Sequence, residues 1–185
     1  MSGPQSRLGP SFIFAVIAIS ASAAGTSPEN AAPVEDANIC AVLSNPLEYD
    51  HRLLRLTGSI ARDFETFWIE SPKCADAAPL WIEYGGPKPA DGPLWHDGPE
   101  DPSADAPLVI EGIQTSLEVD AMFRKFDSTT KSLKRGKRAR ATVVGWIVAA
   151  GTYKDDAGDE QEVGYGPYGL YSLLVIQKVE SVSRR

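Results

Sequence analysis

The chain has 185 residues, with 18 basic and 25 acidic side chains and a formal net charge of −7 at pH 7. This acidic balance argues against indiscriminate binding to nucleic acid or to an anionic surface. The apolar share of 43% is ordinary for a globular protein, and the composition excludes collagen, coiled coil and wholesale disorder.

The N-terminus has the three parts of a secretory signal in their usual order. A polar stretch containing Arg7 leads into an apolar run from Ser11 to Ile19, and Ala21-Ser22-Ala23 supplies an A-x-A cleavage pattern. The run is shorter than the roughly 20 residues that span a bilayer, and no later segment is apolar enough to do so. We therefore predict that residues 1–24 are a signal peptide and that the protein is exported, either periplasmic or secreted. An uncleaved membrane anchor is the alternative.

The first part of the mature chain is predicted to hold a leader, a helix and a strand. Residues 25–36 lack hydrophobic periodicity and are predicted to be a disordered leader. Asp36 or Asn38 is expected to cap a short helix with one apolar face, which an Asn-Pro pair ends. Residues 53–60 alternate between apolar and polar side chains, which predicts a half-buried strand, and Gly58 indicates a bulge or bend in it.

The rest of the chain is predicted to add strands, a helix and two loops. Residues 85–107 are dense in Pro, Gly and Asp, and an insertion of this length is either functional or disordered. A helix capped by Ser116 carries Met122 and Phe126 on its apolar face, and residues 152–169 form a loop. The further predicted strands are 64–70, 80–84, 108–113, 139–149 and 170–182.

This order of elements predicts the fold class. Three consecutive strands, a helix and a closing hairpin are the layout of a partly open, five-stranded barrel of the OB type. We therefore predict a mainly β chain with one or two short helices, in which residues 37–183 form a single OB-like barrel. A plain β-sandwich is the alternative.

The chain has two cysteines, Cys40 and Cys74, and both follow the predicted signal. Export places them where disulfides persist, and an even pair without CxxC spacing favours a structural bridge. Such a bridge closes a loop of about 35 residues and contributes about 4 kcal/mol by the chain-entropy treatment. A zinc site needs four ligands at recognisable spacing, so no metal site is predicted.

Several short motifs follow one another in this chain. Residues 39–43 (ICAVL) lead through Asn45-Pro46 and Tyr49 into residues 54–58 (LRLTG). This order resembles small exported bacterial proteins, largely uncharacterised, in which a helix with a cysteine leads through NPxxY into a strand with the pattern hydrophobic-x-hydrophobic-x-Gly. Their second cysteine and closing hairpin resemble two further segments, Ser71-Pro72-Lys73-Cys74 and Gly164-Tyr165-Gly166 with Tyr171. The resemblance covers about residues 40–182 and implies an OB-like fold and a disulfide, but no activity.

Aromatic side chains on the predicted strands and in the insertion are candidates for a binding face: Trp68, Trp81, Tyr84 and Trp95. Aromatic residues dominate core burial, so packing in the core is the other interpretation. Because no catalytic constellation is found, we favour a non-enzymatic binding module of the cell envelope. An envelope protein or a glycan is its expected partner, and no cofactor is predicted.

Two other functions stay open. Glu70 and Glu83 could be the paired carboxylates of an envelope hydrolase if they approach within about 5 to 10 Å. The basic run 131–140 is either a polyanion or nucleic-acid contact or a solvated helix end, and export argues against nucleic acid. The candidate contacts in this run are Lys134, Arg135, Lys137 and Arg138.

Histidines and a glycine motif do not point to further chemistry. His51 stands at a strand entrance and His96 in the insertion, and we interpret both as exposed loop residues rather than members of a catalytic triad. Residues 164–169 match GxGxxG, but the dinucleotide fingerprint needs a helix after it, and here a strand follows. We predict a tight loop instead.

Overall fold

The computed structural model describes residues 32–63, 66–86, 109–154 and 158–184. The predicted signal peptide, most of the predicted leader and residues 87–107 of the predicted insertion, with Trp95 and His96, lie outside these residues. The described part of the chain is mainly β, with two α-helices.

The described residues contain ten strands, two α-helices and three 3-10 turns. The strands are β1 (Glu35–Asp36), β2 (Leu53–Arg62), β3 (Phe67–Glu70), β4 (Leu80–Tyr84), β5 (Val109–Ile110), β6 (Ile113–Gln114), β7 (Ala139–Val148), β8 (Gly151–Lys154), β9 (Glu160–Val163) and β10 (Leu173–Arg184). The helices are α1 (Ile39–Ser44) and α2 (Ala121–Lys131). The 3-10 turns are Pro46–Tyr49, Pro72–Cys74 and Pro167–Gly169.

Five of the strands form a closed barrel. They are hydrogen-bonded in the order β2, β3, β4, β10 and β7, and β7 pairs back with β2 through eight residue pairs. The pairing of β4 with β10 is parallel, and the other four are antiparallel. This order, with α2 between the third and fourth barrel strands, confirms the predicted OB-like barrel. The β2–β7 ladder closes the barrel that the sequence predicts to be partly open.

The barrel interior is apolar because side chains on each strand alternate between the two faces. Leu54 and Leu56 of β2 are fully buried, as the alternation predicts. Gly58 lies where β2 approaches β3 closely, since a Cβ at this position would come within 2.5 Å of the Ile69 side chain. The remaining interior residues include Ile60, Phe67, Leu80, Ile82, Val143, Ile147, Leu174, Ile176 and Val179.

Helix α2 closes the barrel interior with Phe126, which is fully buried in the core. Asp120 caps this helix, because its carboxylate accepts a hydrogen bond from the backbone N–H of Phe123 at 2.7 Å. The prediction of Ser116 as the cap is wrong. Its hydroxyl and its backbone N–H both donate to the side chain of Gln177 on β10, at 3.0 and 2.7 Å.

Helix α1 is joined to the barrel by the predicted disulfide. Cys40 of α1 and Cys74 of the second 3-10 turn are bridged, with their Cα atoms 5.6 Å apart. Asn38 caps α1, since its side-chain oxygen accepts a hydrogen bond from the backbone N–H of Cys40 at 2.9 Å. One of the two predicted caps is therefore confirmed.

The end of the predicted disordered leader is ordered. Residues 35 and 36 form β1, which pairs in parallel with β2. Glu35 and Asp36 form ion pairs with Arg52 and Arg55. Hydrophobic periodicity does not reveal β1, because both of its residues are charged.

Two hairpins lie outside the barrel. A single strand is predicted at 108–113, but residues 109–113 instead form most of a separate hairpin, in which β5 and β6 pair with each other. Residues 152–169, predicted to be a loop, contain β9 and most of β8, which also pair with each other. Both hairpins belong to connections between barrel strands.

Candidate functional site

The outer surface of the barrel carries a second apolar cluster, distinct from the core. Its centre is Trp81 on β4 with its neighbours Leu173 and Val175 on β10, all of them buried. We call this cluster the outer aromatic face. Its members are Trp68, Trp81, Trp146, Val148, Tyr165, Tyr171, Leu173 and Val175, with Ile110 and Ile113 of the β5–β6 hairpin packed against them.

Three aromatic rings form the middle of this face. Trp68 and Trp81 are register partners on β3 and β4. The Tyr171 ring centroid lies 6.2 Å from that of Trp68 and 6.1 Å from that of Trp81. Gly166, with φ of 69°, lies so close that a Cβ there would come within 2.7 Å of the Trp81 ring. The GxGxxG match is thus a tight loop over Trp81, as predicted.

Three buried polar atoms on this face have no hydrogen-bond partner within the described chain: Nε1 of Trp68, Nε1 of Trp81 and Oε2 of Glu83. Glu83 follows Trp81 by two residues on the same side of β4 and is only 2% exposed. Buried donors and acceptors are nearly always paired, and an unpaired one costs about 1–3 kcal/mol. The face therefore holds two unused donors and one unused acceptor.

The environment of Glu83 changes its ionisation. Burial raises the pKa of Glu83 from 4.5 to about 7. Its Oε1 accepts a hydrogen bond from the Tyr84 backbone N–H at 3.1 Å, and this bond and the charge of Arg62 lower the pKa without offsetting burial. Near neutral pH both protonation states are populated, so the side chain can either accept or donate a hydrogen bond through Oε2.

Tyr84, predicted to belong to the binding face, lies on the opposite side of β4, inside the barrel. Its ring packs edge-on against Phe67 and Phe123, at centroid distances of 5.5 and 5.1 Å. Its hydroxyl donates to Asp127 of α2 at 3.0 Å and accepts from Arg62 at 3.0 Å. Burial raises the pKa of Tyr84 well above its usual value. This side chain joins α2 to the barrel and takes no part in the outer face.

Family relationships add nothing to the assignment of this site. Comparisons with models of protein families, with curated proteins and with solved structures give no match. Among the described residues, no group of three or more His, Cys, Asp or Glu side chains is placed to hold a metal ion. In the same part of the chain, neither helix is long and apolar enough to cross a membrane.

Glu70 and Glu83, predicted as paired carboxylates, are not brought together. Trp68 opposes Trp81 on antiparallel strands, and each glutamate lies two residues beyond its tryptophan, in opposite directions. At about 3.3 Å per residue this separates them by about 13 Å along the strands, beyond the range of a catalytic carboxylate pair. Glu70 is instead paired with Arg138, with Nε and Oε1 2.6 Å apart.

Two cations of the basic run 131–140 are paired with carboxylates. Lys131 pairs with Asp127 at 2.9 Å, and Arg138 pairs with Glu70. The exposed cations on the turn between α2 and β7 are Lys134, Arg135 and Lys137. Polyanion binding by this turn stays a prediction.

A cleft of about 520 Å³ lies beside the disulfide, where β1, α1 and β2 meet. Arg55, which lines it, is paired with Asp36 at 2.9 Å and with Glu180 at 2.8 Å. Because these charges neutralise one another, the cleft offers less unused chemistry than the outer aromatic face.

Sequence reasoning missed the side chains that close one end of the face. Glu111, on the turn of the β5–β6 hairpin, accepts a hydrogen bond from the Tyr165 hydroxyl at 2.9 Å and lies 3.1 Å from His51 Nε2. Burial, followed by the hydrogen bond to Glu111, raises the pKa of Tyr165. His51 is exposed, as predicted, but it has a partner. Gly112, directly after Glu111, is the only residue of the β5–β6 hairpin that the sequence marks as a turn residue.

Proposed function

We propose that this chain is a non-enzymatic binding module of the cell envelope and that its outer aromatic face binds a glycan. The observation that carries the proposal is the set of three buried, unpaired polar atoms on β3 and β4. Oligosaccharides and oligonucleotides bind OB barrels on the outer face of the second and third strands, and β3 and β4 are these strands.

A sugar hydroxyl complements both kinds of unused group. It accepts a hydrogen bond from an indole N–H and can donate one to a carboxylate oxygen, so neighbouring hydroxyls satisfy Trp68, Trp81 and Glu83 together. The half-buried rings of Trp68 and Tyr171 offer apolar surface to the C–H groups of a sugar. A phosphate-rich ligand fits less well, because ionised Glu83 and the net charge of −7 repel it.

We further propose that the protein works outside the cytoplasm, in the periplasm or as a secreted protein. The disulfide between Cys40 and Cys74 supports this location, since such bridges persist in oxidising compartments. The predicted signal peptide at 1–24 would supply the export route. Membership of the small exported bacterial proteins that the sequence resembles is part of the same proposal.

Glycan binding is tested by calorimetric titration of soluble peptidoglycan fragments and lipopolysaccharide-derived oligosaccharides into protein expressed from the full-length sequence. Trp68→Phe and Trp81→Phe keep an aromatic ring and remove the N–H donor. We expect each to weaken binding about five-fold, the effect of one hydrogen bond. Glu83→Gln removes a charged acceptor, and we expect about ten-fold weaker binding.

Trp146→Phe is the matched control. Trp146 belongs to the same face, but its ring nitrogen is not among the buried unpaired atoms of the described chain. We expect this variant to bind as the wild type does. If none of these glycans binds, or if all four variants bind equally well, the outer aromatic face is not a glycan site.

A further inference from the structure

The β5–β6 hairpin, residues 109–114, covers part of the outer aromatic face. Ile110 is buried and Ile113 half-buried in the same apolar cluster as Trp81 and Val175. Val175 is the register partner of Glu83 on the neighbouring strand. The hairpin therefore packs over the strands that carry the unpaired indole and carboxylate groups.

The base of the hairpin is held by hydrogen bonds that backbone N–H groups donate, two of them to side-chain oxygens. The Ser116 N–H donates to the side-chain oxygen of Gln177 at 2.7 Å, and the Glu118 N–H donates to the Gln177 backbone carbonyl, also at 2.7 Å. The hydroxyl of Thr115 accepts from the Gly86 N–H at 3.3 Å. These contacts fix residues 115–118 to the barrel two residues beyond Val175.

At the tip of the hairpin, Glu111 bonds one buried side chain, Tyr165, which is 7% exposed, and one exposed side chain, His51. Glu111 contacts Tyr165 and His51, and the His51 and Glu111 side chains are 45% and 44% exposed. A contact between two such exposed side chains contributes at most about 0.2–1 kcal/mol, even if both are charged. Both residues also have left-handed backbones, with φ of 55° and 49°, which costs a residue other than glycine about 1 kcal/mol or more.

The two ends therefore differ in strength. A hairpin of two residue pairs is not stable by itself, so its position depends on the isoleucine contacts and on these end contacts. The base has three hydrogen bonds donated by backbone N–H groups, whereas the tip has two side-chain contacts, one of them exposed, and lies on strained backbone at His51 and Glu111. Segments held by few buried contacts open locally at a lower free energy than the whole fold unfolds.

We propose that the β5–β6 hairpin is a lid over the outer aromatic face and that Glu111 is its latch, released from His51 and Tyr165 when a ligand enters. The glycan identity of that ligand rests on the proposed function, whereas the lid itself can be measured without ligand. Opening removes Ile110 and Ile113 from the outer aromatic face and so widens a ligand's access to β4, the strand that carries Trp81 and Glu83, while the loop at Gly166 stays over the Trp81 ring.

Hydrogen exchange followed by mass spectrometry tests the latch in protein expressed from the full-length sequence. Glu111→Ala removes both latch contacts, and Tyr165→Phe removes one while keeping the ring. We expect exchange at residues 109–114 to become at least about five-fold faster in each, the effect of one lost hydrogen bond. Glu118→Ala is the matched control, since it deletes an exposed carboxylate paired with Lys178 at the base of the same segment.

Residues 53–62 of β2 are the internal reference, because a change there reports destabilisation of the whole barrel. Unchanged exchange at 109–114 in both latch variants, or equal acceleration at 53–62, would overturn the lid.

Glycan titration separates the two proposals. Latch-dependent exchange in a protein that binds no glycan refutes the glycan site and supports the lid, whereas glycan binding with latch-independent exchange refutes the lid alone.

Discussion

Replacing Glu83 by glutamine should remove a pH-dependent loss of stability. The unfolded chain ionises this carboxyl near 4.5, whereas burial in the folded state raises its pKa to about 7. Its stabilising contribution is therefore fully present below pH 4.5 and is lost as the pH rises to 7. A shift from 4.5 to about 7 corresponds to about 3 kcal/mol of unfolding free energy.

The measurement is urea unfolding of wild type and Glu83→Gln between pH 4.5 and 8, with the free energy of unfolding compared at each pH. Glutamine has the shape of a protonated glutamate, so the two proteins should be about equally stable at pH 4.5. The variant should become progressively more stable than the wild type up to pH 7, and the difference should be constant above that. Glu48→Gln, at an exposed position, controls for the loss of one negative charge.

The result that would refute this reasoning is a constant difference between wild type and Glu83→Gln across the whole pH range. Glu83 would then have the same pKa in the folded and unfolded chain, and its carboxylate would be reached by water or by a counter-ion. Such a result would also remove the unused acceptor from the outer aromatic face. The pH series therefore tests the site without any ligand.

Two further predictions concern the parts that hold the site in place. Mass spectrometry of the unreduced protein should show Cys40 linked to Cys74, and replacing both by alanine should lower the unfolding free energy by about 4 kcal/mol; two freely alkylated thiols would contradict this. Gly166→Ala should destabilise the protein by about 1–3 kcal/mol in urea unfolding, since the added Cβ meets the Trp81 ring at a positive φ. Gly112→Ala, also at a positive φ but with open space around it, is the matched control for that strain.

The barrel could be predicted because its strands leave clear local signals. In β2 the apolar residues Leu54 and Leu56 alternate with the half-buried polar residues Arg55 and Thr57, so the sequence indicates both the strand and its inward side. The cap of α1 was predictable because Asn38 acts on the helix that begins at the next residue. The disulfide was predictable because two cysteines can form only one intramolecular pair. The cap of α2 was missed because Ser116 and Asp120 are both residues that can begin a helix, and only tertiary contacts with Gln177 distinguish them.

The candidate site was predictable only in part. Alternation along a strand places Trp81 and Tyr84, three residues apart, on opposite sides of β4, so the two could not belong to one face. Because all five residues of β4 are buried, burial does not distinguish the core side from the outer side. Trp68 and Trp81 do lie together, as the predicted face requires. The contacts of Glu111 could not be inferred, because His51 and Tyr165 are 60 and 54 residues away in the chain.

Strand β4 treats polar groups differently on its two sides, and this difference supports the proposed binding face. On its inner side, Tyr84 is 7% exposed, and Arg62 and Asp127 both form hydrogen bonds with its hydroxyl. On its outer side, Glu83 and Trp81 are just as buried, but their polar atoms have no partner within the described chain. Apolar side chains in place of Glu83 and Trp81 would avoid the cost of about 1–3 kcal/mol that each unpaired group carries. A chain that satisfies polar groups on one side of a strand and leaves them unused on the other has a local conflict of the kind found at functional sites.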